Sequence, residues 1–188
     1  MTLKFHGKAT HAAYPENGLS PAHAVGELLR QVPEILTPEH YTGMVLCTVI
    51  GVQMGEKAFG AAAADAEVWL TLRAEHEKDL ELLREMVLKA AKELAEADGL
   101  GFWMEEQDIF PATENDPVCA QKVMEKCNGK HLEVPMRWSE DFGHYLKKCK
   151  GAFFGIGAGK DHPALHTITY EYPDDLLEKT AEAFWNLI

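Results

Sequence analysis

The chain has 188 residues, of which 46% are hydrophobic and 26% charged, a composition typical of a globular protein that can bury a proper core. Its 18 basic and 30 acidic residues give a net charge of −12, which argues against nucleic acid and anionic membranes as partners. No apolar run reaches the length of a membrane span, and a signal peptide ahead of the first predicted strand is not expected.

The cysteines predict a reducing environment. None of the four forms a CxxC pair, so a disulfide framework is not expected. Reduced and mostly buried thiols are typical of the cytoplasm, which is the predicted location. The four are Cys47, Cys119, Cys127 and Cys149.

The first half of the sequence alternates between strand-like and helix-like periodicity. After Ser20 and Pro21, apolar residues at helical spacing predict a helix that Ser20 caps and that Pro33 and Pro38 close. The predicted order is strand, helix, strand, strand, helix, strand, at residues 2–6, 21–32, 44–54, 66–73, 78–97 and 101–108. This is the split βαβ order of a ferredoxin-like fold, so residues 2–108 are predicted to form one domain.

Residues 109–188 are expected to form a second region that is poor in strands. Three helices and one buried strand are predicted, at residues 117–127, 139–149, 174–188 and 152–156. Asn115 or Asp116 is the expected cap of the first helix, and Ser139 that of the second. Because so few strands cannot close a sheet, this region is expected to be part of an α/β domain whose remainder lies elsewhere.

The stretch from Gly151 to Asp174 carries the chemistry of the second region. Its glycines do not fit a Walker-type phosphate loop or a dinucleotide fingerprint, since the remaining positions of both motifs are occupied by other residues. His162 and His166 lie four residues apart, but Pro163 between them excludes a helical HExxH zinc site. A loop that presents one imidazole to a metal and a turn with surface histidines both remain open.

Four segments, in this order, resemble a known family. They are GKATHAAYPENGLSPA (7–22), a strand that ends in Arg73, WSEDFGHY (138–145) and GIGAGKDHPALHTITYEYPD (155–174). Together they resemble the zinc aminoacylase and carboxypeptidase family of di-metal amidohydrolases, especially its branch with hippurate hydrolase, indole-acetyl-amino-acid hydrolase and aminobenzoyl-glutamate hydrolase. The resemblance covers nearly the whole chain.

The resemblance implies an architecture. Residues 2–108 would be the ferredoxin-like lid, which also dimerises, and residues 109–188 the C-terminal part of the α/β catalytic domain. The N-terminal part, which in the family supplies most metal ligands and the catalytic glutamate, would be absent. The full-length protein would use two divalent metal ions, zinc being expected, and this chain alone would hold none stably.

The resemblance also implies roles for single residues. His11 would reach into the partner subunit's cleft and polarise the scissile carbonyl, Arg73 would bind the substrate carboxylate, and His166 would be the last metal ligand. His162 would shape its loop. The alternatives are a loop histidine at 11, an exposed strand-end arginine at 73 and a surface histidine at 166. Gly60 stands near the position where the family commonly has an asparagine that grips the substrate carboxylate.

Two functions of different class therefore follow. The first is a metal-dependent amidohydrolase, a homodimer through its lid, that hydrolyses the amide bond of N-acyl amino acids or small peptides. The second is a non-catalytic dimerisation or ligand-binding module that keeps the fold without a metal centre.

Overall fold

The computed structural model describes residues 1–138 and 140–188, so the predicted cap Ser139 lies outside the described residues. The chain divides into two compact units, Met1–Ile109 and Phe110–Ile188. Among the described residues, none of the helices combines the length and the apolar character that crossing a bilayer requires.

The first unit contains six strands and two α-helices. Four of the strands form an antiparallel sheet in the order β3-β5-β1-β6, and β2 and β4 form a separate two-stranded ribbon. The elements are β1 (Thr2–His6), β2 (Thr10–His11), α1 (Ala22–Ile35), β3 (Val45–Met54), β4 (Ala61–Ala62), β5 (Asp65–Ala74), α2 (Glu77–Ala97) and β6 (Gly101–Glu105). The long strands and helices follow the predicted ferredoxin-like order, which the structure confirms.

The core of this unit lies between the sheet and both helices. Leu3 and Phe5 alternate with polar neighbours along β1, so they point to the same face and are buried there. Leu28 of α1 and Leu83 and Val87 of α2 are buried in the same cluster. The apolar stripe of each helix therefore covers one face of the sheet, while Lys4 on the other face pairs with Glu105 at 2.8 Å.

Two element ends differ from the sequence-based prediction. Helix α1 does not end at Pro33 but continues to Ile35, whose side chain is buried in the core together with Val25 and Leu28. Packing therefore holds the last turn although proline donates no hydrogen bond there. Strand β6 ends at Glu105, three residues before the predicted end at Asp108, whose positive φ of 54° is incompatible with an extended strand.

The described part of the second unit contains three helices, α3 (Pro117–Lys126), α4 (Gly143–Leu146) and α5 (Asp175–Leu187). Asp116 caps α3, because its carboxylate accepts hydrogen bonds from the main-chain N–H groups of Val118 (3.0 Å) and Cys119 (3.1 Å). The helix predicted to reach Cys149 is much shorter, and Leu146 is its last residue.

The predicted strand at residues 152–156 is wrong. No described residue of the second unit is in a strand. The side chain of Asn115 instead pairs with the main chain of Phe153, accepting from its N–H at 2.7 Å and donating to its carbonyl at 2.9 Å. A β-strand requires main-chain hydrogen bonds to a neighbouring strand, and here the side chain of Asn115 makes the hydrogen bonds to Phe153 instead.

Candidate active site

The candidate catalytic residue His11 lies on a small arm of the first unit. We define the His11 arm as residues 8–19 and 55–64. Within it, β2 and β4 pair in antiparallel fashion, with His11 opposite Ala61. The N–H of Ala12 extends the pairing by donating to the carbonyl of Gly60 at 3.0 Å. The N–H of Gly7 donates to the carbonyl of Ala64 at 2.7 Å and so ties the base of the arm to the sheet.

The turn after His11 fixes both its main chain and its ring. The N–H of Tyr14 donates to the carbonyl of His11 at 2.8 Å, which closes a tight turn ahead of Pro15. The Nδ1 atom of His11 accepts a hydrogen bond from the N–H of Ala13 at 3.0 Å. The Tyr14 ring lies 6.0 Å from the imidazole, measured between centroids. His11 is exposed, so the remaining ring nitrogen, Nε2, is the atom that can meet a ligand.

Gly60 and its neighbour Phe59 lie on the opposite side of the same arm. A Cβ atom added to Gly60 would meet no heavy atom within 4 Å, so this position has open space beside the His11 turn. Phe59 is 88% exposed, although it is a large aromatic side chain. The sequence does not identify Tyr14 as a neighbour of His11, because a ribbon of two-residue strands carries no periodic signal.

Arg73 lies at the other end of the sheet from the His11 arm. It is on β5 opposite Leu46 of β3, whereas the first residue of β5, Asp65, pairs with His6 close to the base of the arm. At a rise of 3.3 Å per residue, Arg73 is about 26 Å from Asp65 along the strand. Within one chain, the structure therefore does not bring Arg73 and His11 together.

His166 lies on an exposed turn of the second unit. Its main chain has a φ of 65°, in the left-handed region, and Thr167 closes the turn by donating from its hydroxyl to the carbonyl of Ala164 at 2.7 Å. The left-handed conformation is uncommon for a residue other than glycine, although histidine adopts it more often than most, and the side chain of His166 is exposed.

His162 has a different environment in the same loop. Its Nδ1 atom lies 2.8 Å from the carbonyl oxygen of Pro163, and its Nε2 atom lies 2.8 Å from that of Glu171. The ring of Tyr170 also meets it edge-on, with the centroids 5.2 Å apart. Because a main-chain oxygen lies against each ring nitrogen, neither nitrogen is open to a metal, and His162 connects the two sides of its loop.

The described residues do not make a metal centre by themselves. No three of their His, Cys, Asp or Glu side chains gather into a group that could hold a metal ion. Structural zinc sites use four protein ligands and catalytic zinc sites usually three. His166 alone therefore does not fit a bound metal, and ligands from outside the described residues would be needed to complete a site around it.

The sequence profile of the M20 peptidase dimerisation domain matches residues 1–99, which is more than half of the 188 residues. The hippurate hydrolase of Campylobacter jejuni is 24% identical over 195 residues, covering 99% of this chain and 50% of that protein. The N-acetyldiaminopimelate deacetylase of Streptococcus thermophilus is 28% identical over 188 residues, covering 88% of this chain and 45% of that protein. The chain thus spans about half the length of these curated relatives.

Solved structures show the same fold. The aminopeptidase PepT of Bacillus cereus is similar with a TM-score of 0.73 and 17% identity, over 100% of this chain and 50% of that one. A hydantoinase/carbamoylase family amidase of Burkholderia ambifaria is similar with a TM-score of 0.67 and 16% identity, over 99% of this chain and 45% of that one.

Proposed function

Because the chain belongs to the family of the M20 peptidase dimerisation domain, we propose that it forms the lid and part of the catalytic domain of an amidohydrolase. The substrate class is an N-acyl amino acid or a small peptide. The observation that carries this proposal is that the matched segment, residues 1–99, contains the whole His11 arm. The names of two relatives, a hippurate hydrolase and an N-acetyldiaminopimelate deacetylase, support an acylated amino acid as substrate.

His11 has the chemical role of an oxyanion donor in this proposal. When the scissile carbonyl is attacked, its oxygen gains negative charge, and a donor already held in place stabilises that charge without reorganising. His11 suits this role because the arm is tied to the sheet at Ala64 and its turn is closed at Tyr14. The cleft that His11 serves would be the partner subunit's.

The relatives belong to a family of metal-dependent hydrolases. We propose His166 as the ligand that this chain contributes to a metal centre completed by residues outside it, and zinc is the metal that we expect. Arg73 is the proposed carboxylate binder. Because Arg73 and His11 lie at opposite ends of the lid, the two residues of one chain would serve different substrate molecules.

The four cysteines are free thiols, which supports the cytoplasm as the location.

The homodimer would form along β3, an outer strand of the four-stranded sheet. An edge strand exposes unpaired main-chain groups and needs covering. Large apolar side chains that are 39–61% exposed lie along β3, namely Val49, Ile50, Val52 and Met54. The opposite edge, β6, is half as long, with 5 residues against 10, and carries Glu105. A longer and more apolar edge is the better site for pairing with a second copy.

The dimer proposal is tested by placing a charge on each edge in turn. Ile50→Lys should convert a dimer into a monomer in sedimentation velocity, because lysine on an edge opposes strand pairing. The matched change Trp103→Lys on β6, at a residue that is 48% exposed, should leave the dimer intact. A wild-type chain that sediments as a monomer at high concentration would contradict the proposal.

The catalytic proposal is tested in the enzyme that contains this chain, with hippurate and N-acetyl amino acids as substrates. His11→Ala should lower turnover by about 10²–10³ while the dimer mass is unchanged, since it removes one oxyanion donor. Mixed dimers of His11→Ala and His166→Ala subunits should recover about half of the wild-type rate, because one of their two clefts then has both residues. Unchanged turnover of His11→Ala would contradict the proposed role of His11, whereas a wild-type enzyme that hydrolyses none of these substrates would favour the non-catalytic module.

A further inference from the structure

The hydrogen bond between Ala13 and His11 decides which ring nitrogen of His11 can donate. A neutral imidazole has one N–H and one lone pair, on different nitrogens. Nδ1 accepts the N–H of Ala13 at 3.0 Å, so it must hold the lone pair, and the proton is on Nε2. We infer that the main-chain N–H of Ala13 is the positioning group that fixes His11 as its Nε2–H tautomer. The inference rests on the proposed function of His11 and names the atom through which His11 acts.

The donor of this hydrogen bond is itself held in place. The two residues before and after Ala13 both make main-chain hydrogen bonds within the His11 arm: Ala12 donates to Gly60 at 3.0 Å, and Tyr14 donates to His11 at 2.8 Å. The hydroxyl of Thr10 donates to the carbonyl of Tyr14 at 3.0 Å, which braces the turn from its other side. The N–H of Ala13 therefore keeps its direction without help from the imidazole, as a preorganised site requires.

This arrangement restricts the chemistry of His11. With the lone pair of Nδ1 engaged and a proton on Nε2, the neutral ring offers a ligand a hydrogen-bond donor and no acceptor. A carbonyl oxygen or an oxyanion matches such a group. A metal ion does not, since it requires a lone pair. His11 thus acts as a neutral donor to oxygen, and general-base catalysis by this ring is excluded while the Ala13 bond is intact.

The hydrogen bond can be observed directly by NMR on the 188-residue chain labelled with ¹⁵N, at a pH high enough that imidazoles are neutral. Nitrogen shifts distinguish a protonated from an unprotonated ring nitrogen, and His11→Gln identifies the His11 signals among those of the nine histidines. We expect an unprotonated Nδ1, a protonated Nε2 and a scalar coupling between the Ala13 amide nitrogen and Nδ1 across the hydrogen bond. A protonated Nδ1, or no such coupling, would overturn the inference.

A matched pair of variants, each with one main-chain amide replaced by an ester, then tests whether the N–H of Ala13 determines the tautomer of His11. Replacing Ala13 by its α-hydroxy analogue, lactic acid, removes the N–H and keeps the methyl side chain. This should raise the ratio of Nδ1–H to Nε2–H tautomer at least about fivefold, as expected for one net hydrogen bond. The same replacement at Ala12 removes the neighbouring bond to Gly60 and should leave the tautomer ratio unchanged. Equal changes in both variants, or none at Ala13, would show that Ala13 has no specific effect on the ring.

The tautomer is measured without substrate, so this result is separate from the proposed function. If the tautomer is as inferred but His11→Ala has normal turnover in the assembled enzyme, the proposed catalytic role fails and the positioning of the ring stands. If His11→Ala is nearly inactive but the ring is the Nδ1–H tautomer, the positioning by Ala13 fails and the catalytic role stands.

Discussion

In the first unit two amphipathic helices pack on one face of a four-stranded sheet, whereas the residues that the structure describes in the second unit form three helices and no strand. Among the described residues, every buried hydrophobic side chain except Leu176 lies in the first unit. Helix α5 of the second unit leaves Phe184 58% and Trp185 79% exposed. An amphipathic sequence predicts that a helix has an apolar face, and this comparison shows that it does not predict whether that face is covered.

The largest expected difference concerns autonomous folding. A domain of this size needs a hydrophobic core to offset the conformational entropy of its chain, and only the first unit has one among the described residues. Residues 1–109 expressed alone should therefore unfold in one cooperative transition on heating, followed by circular dichroism. Residues 110–188 alone should show no such transition. A sharp transition in the second fragment would show that the second unit also folds by itself.

The next effect uses one leucine from each unit. Leu83 of α2 is fully buried, whereas Leu177 of α5 is 62% exposed. Leu83→Ala should lower the free energy of unfolding by about 2–5 kcal/mol, because it leaves a cavity in the core. Leu177→Ala should change it by no more than about 0.5 kcal/mol. Urea denaturation of the whole chain measures both, and similar losses would show that the second unit is packed as well as the first.

The same contrast explains which parts of the structure could be predicted. The order of strands and helices in the first unit follows from local periodicity, which changes from two residues to 3.6 along the sequence. The cap at Asp116 is also local, and the structure confirms that a residue at this position caps α3. The strand at residues 152–156 could not be predicted correctly, since a strand depends on a partner that is distant in sequence.

The candidate site was predictable only in part. The sequence identifies His11, Arg73 and His166 through the resemblance of the segments that contain them. Their distances were not predictable, because the separation of Arg73 from the His11 arm depends on the register of β5 against β1. The bond from Ala13 to His11 has no signal in the sequence at all, since it uses a main-chain N–H that every residue except proline has.

Asp79, a buried carboxylate of the first unit, should make the stability of that unit depend on pH. Asp79 is 3% exposed and accepts hydrogen bonds from the hydroxyl of Thr42 and the N–H of Gly43, both at 2.8 Å. Burial, the largest single influence, raises the pKa of Asp79, but the hydrogen bonds from Thr42 and Gly43 together hold it below its ordinary value of 3.8. The ionised form therefore stabilises the fold above pH 3.8, and this contribution is lost as the pH falls through the lowered pKa.

Asp79→Asn should accordingly lower the urea midpoint at pH 7 and weaken the fall in stability that the wild type shows in acid. The reason is that an amide cannot accept all the hydrogen bonds of a carboxylate and does not titrate. Asp161→Asn, at an exposed position of the second unit, is the matched control and should leave the midpoint at pH 7 unchanged. If both variants have the wild-type midpoint, the buried carboxylate does not stabilise the first unit.

The smallest expected effect comes from an exposed pair that connects the two helices of the first unit. Nδ1 of His23, in the first turn of α1, lies 2.9 Å from a carboxylate oxygen of Asp98, which follows α2. This hydrogen bond raises the pKa of His23 above its ordinary value of 6.5, and the charge of Asp98 adds to the shift. A raised pKa means that the folded state binds the proton more tightly, so the stabilisation is complete below pH 6.5 and is lost as the pH rises through the raised value.

His23→Gln should remove this decline in the urea midpoint between pH 6 and pH 8, and Asp98→Asn should remove it equally. The double variant should add nothing further, since each single change already eliminates the same contact. A wild-type midpoint that does not fall over this range, or a decline that persists in Asp98→Asn, would show that the pair does not connect the helices in solution.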